Sequence, residues 1–100
     1  MKLQMSSLKF DADEKLLSFI QKKADKLDTY YDKIIDGEVS LKLEKSENNS
    51  NKVVELKLNL PGSSLFAKEQ SNTFEAAADE AVEAIRRQLR KHKGKQYEKR

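Results

Sequence analysis

Apolar positions recur every second residue at the start of the chain, switch to a helical period, return to twos, and end in a second helical stretch. Leu3 and Met5 alternate with polar neighbours, and Leu8 and Phe10 continue in the opposite phase after Ser6-Ser7. This predicts a strand over residues 2–10 with a bulge in it. Asp11 and Glu14 stand at capping-box spacing, so the first helix is expected from about Ala12 to Tyr31. Its apolar stripe is Leu16, Leu17, Ile20, Ala24, Leu27 and Tyr31, which fall within about 100° of one another at 100° per residue. Asp36-Gly37 reads as a break. Val39, Leu41 and Leu43 then predict a second strand, and Val54, Leu56, Leu58 and Leu60 a third with strict period two. Residues 45–51, KSENNSN, are turn formers that join these two as an antiparallel hairpin. Pro61-Gly62 ends the third strand, and Ser64–Glu69 pairs as a fourth. A second helix opens at Asn72 or Thr73 and carries Phe74, Ala78, Ala81, Val82, Ile85 and Leu89 on one face. Gly94 is its expected stop.

The order is therefore β-α-β-β-β-α. Strands with one apolar face need a cover, and two amphipathic helices supply it. The expected fold is α+β, a two-layer sandwich with both helices on one face of a four-stranded sheet. One hundred residues support one modest core, with roughly 60–65% of the unfolded surface buried. Residues 1–95 are read as that domain and 96–100 as a mobile basic tail.

Charge sharpens the picture. The net charge is only +3, but residues 86–100 hold eight cations and one acid, +7, while the other 85 residues hold 12 cations and 16 acids, −4. Complementing a helix dipole takes one or two cations in the last turn. Eight point to a polyanionic partner. On the second helix Arg86, Arg90 and Lys93 flank the buried stripe, while Arg87 and Lys91 point further out. On the first, Lys22 and Lys26 share a face bordered by Lys23. Helices lying side by side would merge these ridges into one surface able to contact RNA phosphates, with affinity that falls as salt rises.

Other chemistries find little support. No cysteine is present, which excludes disulfides and thiolates. The one histidine, His92, lacks a nucleophile and an orienting partner and reads as a surface residue. Clustered metal ligands and a glycine-rich phosphate loop are both missing, so no metal, cofactor or small-molecule substrate is expected. Asp11, Asp13 and Glu14 are explained by helix capping. Asn48-Asn49-Ser50 fits a glycosylation sequon but reads as a turn. The first residues lack the apolar block of a secretion signal, and no apolar run approaches the ~20 residues of a membrane span. The expected location is cytoplasmic, without a membrane partner.

Three segments carry a family resemblance. Residues 26–34, KLDTYYDKI, are similar to a KLxxYFDxI ending of helix one. Residues 55–62, ELKLNLPG, resemble a third strand and turn. Ala76-Ala77-Ala78-Asp79 with Arg87-Gln88-Leu89-Arg90-Lys91-His92-Lys93 resembles an AAID…RQLxKHK helix. Together they resemble the short ribosome hibernation promoting factors, also called the ribosome-associated inhibitor or sigma-54 modulation protein family. The resemblance implies a non-enzymatic factor, monomeric in isolation, that binds ribosomal RNA in the decoding region of the small ribosomal subunit and blocks tRNA and mRNA there. It implies rRNA contacts at Lys23, Lys26, Arg87, Lys91 and Lys93, to which the helical wheel adds Lys22, Arg86 and Arg90. The chain departs from the family's DMYAAID opening, reading Thr73-Phe74-Glu75-Ala76-Ala77-Ala78-Asp79. Two rival classes stay open: a general duplex-RNA binder, and a protein-interaction module that modulates a transcription factor.

Overall fold

The computed structural model describes residues 1–98 except Lys9, Ser46 and Asn49, and for residues 95–98 the backbone alone. The elements are β1 (Leu3–Ser7), α1 (Glu14–Tyr30), β2 (Asp36–Leu43), β3 (Lys52–Leu60), β4 (Ser63–Ser71) and α2 (Phe74–Glu98). They form one mixed sheet in the order β1-β2-β3-β4, with β1 parallel to β2 and the other pairs antiparallel. The parallel pair requires a crossover, and α1 supplies it.

Sheet register explains the core. Met5, Val39, Leu56 and Ala67 lie side by side across the four strands, and Leu41 is next to Val54 in the following row. These rows face the helices, where they meet Leu16, Ile20, Leu27 and Tyr31 of the first helical segment and Ala77, Ala78, Ala81, Val82, Ile85 and Leu89 of α2. Both helices thus cover one face, as the period-two strands demand. The opposite face carries Gln4, Glu38, Lys57 and exposed Phe66 in one row and Ser6, Ser40, Glu55 and Lys68 in the next.

Several boundaries differ from the sequence reading, each for a local reason. β1 ends at Ser7 rather than running to Phe10. The Ser7 hydroxyl donates to the Phe10 carbonyl at 2.8 Å and turns the chain out of the sheet. The phase shift is thus a strand end, and it delivers Phe10 to the helix layer. The cap of α1 is Asp13, not Asp11: its carboxylate accepts from the Leu16 N–H at 2.8 Å. Asp36-Gly37 does not break the chain but opens β2, where Gly37 pairs with Leu3 and Leu58. A Cβ on Gly37 would lie 2.7 Å from Leu3 Cδ2, so glycine permits the close approach of β1. Gly62 adopts φ 76°, the left-handed value a turn after proline needs. β4 is longer than Ser64–Glu69. The Thr73 hydroxyl accepts from the Ala76 N–H at 3.0 Å and caps α2, as its position predicts. α2 does not stop at Gly94 but continues to Glu98, across the boundary drawn at residue 95; residues 99 and 100 of the expected tail lie outside the described residues.

Candidate nucleic-acid interface

α1 and α2 lie side by side and point the same way. Phe10, just before α1, stacks on Phe74 at the start of α2, with ring centroids 4.9 Å apart and planes 14° from parallel. Midway, Lys23 Nζ meets Asp79 Oδ1 at 3.0 Å. At the far end Lys93 Nζ donates to the Tyr30 carbonyl at 3.0 Å. The C-terminal ends of the two helices therefore share one end of the molecule, where each helix dipole places partial negative charge. α2, at 25 residues against 17, runs on past the end of α1. The molecule is correspondingly long, 49 × 26 × 19 Å.

α2 is acidic in its first half, with Glu75, Asp79, Glu80 and Glu83, and basic in its second. That order complements its own dipole. It also gathers the cations at the shared C-terminal end. Between the helices is a cleft of about 130 Å³ lined by Lys23, Lys26, Leu27, Asp79, Val82, Glu83 and Arg86. The cleft carries both signs of charge and is not a pure cation site.

The eight cations singled out from sequence divide into two groups. Lys22, Lys26, Arg86, Arg87, Arg90 and Lys91 are exposed. Of these, Arg86 alone has an acidic partner among the described residues, Glu83 at 3.8 Å one turn earlier. Such an exposed pair, on the order of 0.5 kcal/mol, does not hold the guanidinium against a phosphate. Lys23 and Lys93 are half-buried and engaged within the protein, on Asp79 and on the Tyr30 carbonyl.

Tyr30, which enters the sequence reading only within the segment KLDTYYDKI, joins the two helices. Lys93 Nζ stands 4.4 Å from its ring centroid and Arg86 Cζ 5.3 Å. Arg86 and Lys93 are seven positions apart, hence on one face of α2, and that spacing was the available signal. His92 is not the surface residue expected. It is half-buried, edge-on to Tyr31 with centroids 5.6 Å apart, and its buried Nε2 has no hydrogen-bond partner among the described residues. Among the described residues no cluster of His, Cys, Asp or Glu is arranged to hold a metal ion. Among the same residues no helix is long and apolar enough to cross a membrane.

Comparison with known proteins decides the relationship. The pattern of the family described as sigma 54 modulation protein / S30EA ribosomal protein matches residues 3–97. The chain belongs to this family. It is 35% identical over 91 residues to the ribosome hibernation promotion factor of Deinococcus radiodurans, covering 90% of this chain and 48% of that protein. The chain thus spans about half the length of that relative. Against the ribosome hibernation promoting factor of Escherichia coli (strain K12) it is 32% identical over 95 residues, covering 95% and 96% of the two chains. A solved structure of a ribosomal subunit interface protein from Coxiella burnetii superposes with a TM-score of 0.83 at 24% identity, over 94% of this chain and 99% of that one. That likeness shows the same fold.

Proposed function

We propose that this chain is a non-enzymatic, cytoplasmic ribosome-associated factor that binds the decoding region of the small subunit through ribosomal RNA. There it occupies the path of tRNA and mRNA, silences translation and promotes ribosome hibernation. The carrying observation is the set of six exposed cations, Lys22, Lys26, Arg86, Arg87, Arg90 and Lys91, on two helices that run in the same direction. Helices packed on a sheet are rigid, so these charges keep their spacing without paying side-chain-by-side-chain for order in a loop. Phosphates of a folded RNA are likewise fixed in space, and each one neutralised releases counterions. The protein acts as a wedge held by charge: nothing is cleaved, and no substrate or cofactor is consumed. Names borne by full-length relatives, hibernation promoting factors of comparable size, support the same reading.

Sedimentation tests it. Purified protein mixed with small ribosomal subunits travels with them at low salt and is released as salt rises. Protein that stays at the top of a low-salt gradient overturns the reading. Equal affinity for arbitrary RNA duplexes and for subunits favours a general duplex binder instead.

A further inference from the structure

The last turn of α1 contains no basic residue. Its chain end is closed by one backbone bond, from the Tyr31 N–H to the Leu27 carbonyl at 2.8 Å. The Tyr30 carbonyl is satisfied from elsewhere in the fold: Lys93 reaches across 63 positions to donate to it at 3.0 Å. The same ammonium stands 4.4 Å from the Tyr30 ring, so it meets the negative end of a helix dipole and the face of a π-system together. Arg86 approaches that ring two turns earlier on α2, at 5.3 Å. Tyr30 is thereby held against one flank of α2 at two heights.

We propose that Lys93 is a positioning residue, a pin that sets the register of α1 against α2, and not a phosphate ligand. This rests on the ribosome-binding reading above. Binding a rigid polyanion requires Lys22 and Lys26 to keep their distance from Arg86, Arg87, Arg90 and Lys91, and the two sets sit on different helices. A sliding or fraying α1 would spoil that spacing. Lys93 joins the end of one helix to the basic segment of the other. Its ammonium is spent on a backbone carbonyl and a ring, while its neighbour Lys91 is exposed and without such partners among the described residues.

The test compares Lys93→Met, which keeps the stem and loses the ammonium, with Lys93→Arg and Arg87→Met. Affinity for small subunits is measured across a series of salt concentrations. Losing a phosphate contact makes the log–log salt slope shallower by roughly 0.7–0.9. Arg87→Met shows that change. Lys93→Met lowers affinity by a constant factor at every salt concentration with the slope unchanged, and Lys93→Arg restores it. A slope shallower by the same step in Lys93→Met makes Lys93 a ligand and overturns the pin. Unchanged affinity and slope overturn it too, by showing that register does not matter. In the free protein, Lys93→Met accelerates amide exchange across Leu27–Tyr31 and Lys93→Arg does not. Equal exchange in all three proteins defeats the proposal even where no variant, nor the parent, binds ribosomes; absence of binding by the parent alone defeats the ribosome reading instead.

Discussion

Phe10 and Phe74 stack 4.9 Å apart, joining the segment that leads into α1 to the first residue of α2. Phe74 heads the apolar stripe of α2, whereas Phe10 is out of phase with the alternation of β1. Phe10 reaches the helix layer only because Ser7 turns the chain away from β1. Together with Lys93 on Tyr30 at the other end, the stack aligns two helices that the sheet alone would leave free to slide.

The stack makes a stability prediction. Each ring is half-buried, and an aromatic pair contributes about 0.5–1.5 kcal/mol beyond its buried area. Phe10→Leu and Phe74→Leu each lower the unfolding free energy by about 1 kcal/mol, and the double variant loses less than the sum, since the second change has no partner left to remove. Chemical denaturation of the four proteins measures it. Strict additivity excludes a coupled pair.

Gly94 gives a prediction of the opposite sign. It sits inside α2, and a Cβ built there meets nothing within 4 Å. Gly94→Ala therefore gains helix propensity, up to about 1 kcal/mol and less near a fraying end. Circular dichroism reads a rise in helicity and in Tm. A fall in either indicates that the chain does not run helically through this position.

A pH dependence follows from the Met1 ammonium. It donates to Asp28 and Asp25, and Gln21 donates to both the Met1 carbonyl, at 2.9 Å, and Asp25, at 2.8 Å. Its hydrogen bond to the Asp28 carboxylate, then that to Asp25, raises the ammonium pKa above its ordinary 8.0. Stability from this contact is full below pH 8.0 and is lost as pH climbs through the raised value. The ammonium, with Gln21 after it, holds the Asp25 carboxyl below its ordinary 3.8, so that share is present above 3.8 and is lost on acidification through the lowered value. Both carboxylates are more than a third exposed, which keeps the effect small. Thermal melts of the parent and of the Asp25→Asn, Asp28→Asn double variant, taken from pH 6 to about pH 10, converge at the alkaline end. A constant gap across that range contradicts the contact.

Most of the fold was legible because its periods are strong. Val54, Leu56, Leu58 and Leu60 alternate without error, and all four are buried in β3. Leu16, Ile20, Ala24 and Leu27 keep one stripe and are buried too. Local punctuation misled where tertiary packing outweighs it. Gly94 costs a helix only about 1 kcal/mol, less than a stop requires when the preceding turns are anchored. Asp11 and Asp13 are both capping residues by type, and it is the Asp13 carboxylate that accepts from the Leu16 N–H. His92 falls seven positions after Ile85 and three after Leu89, both fully buried, so its inward placement was written in the spacing and hidden by its polarity. For the interface, exposure of Arg87 and Lys91 could be read from the wheel. That Lys93 and Lys23 are engaged could not, since their partners Tyr30 and Asp79 are distant in sequence and become neighbours only when the helices pack.

The most direct test of the central claim is the affinity of the Arg87→Glu, Lys91→Glu double variant for small ribosomal subunits at low salt. Both side chains are exposed and free of hydrogen bonds and ion pairs among the described residues, so the variant should melt like the parent. Two reversals on a phosphate-binding ridge remove two attractions and add two repulsions, and affinity falls on the order of tenfold or more. A folded double variant that binds as tightly as the parent contradicts the claim that these helices meet RNA.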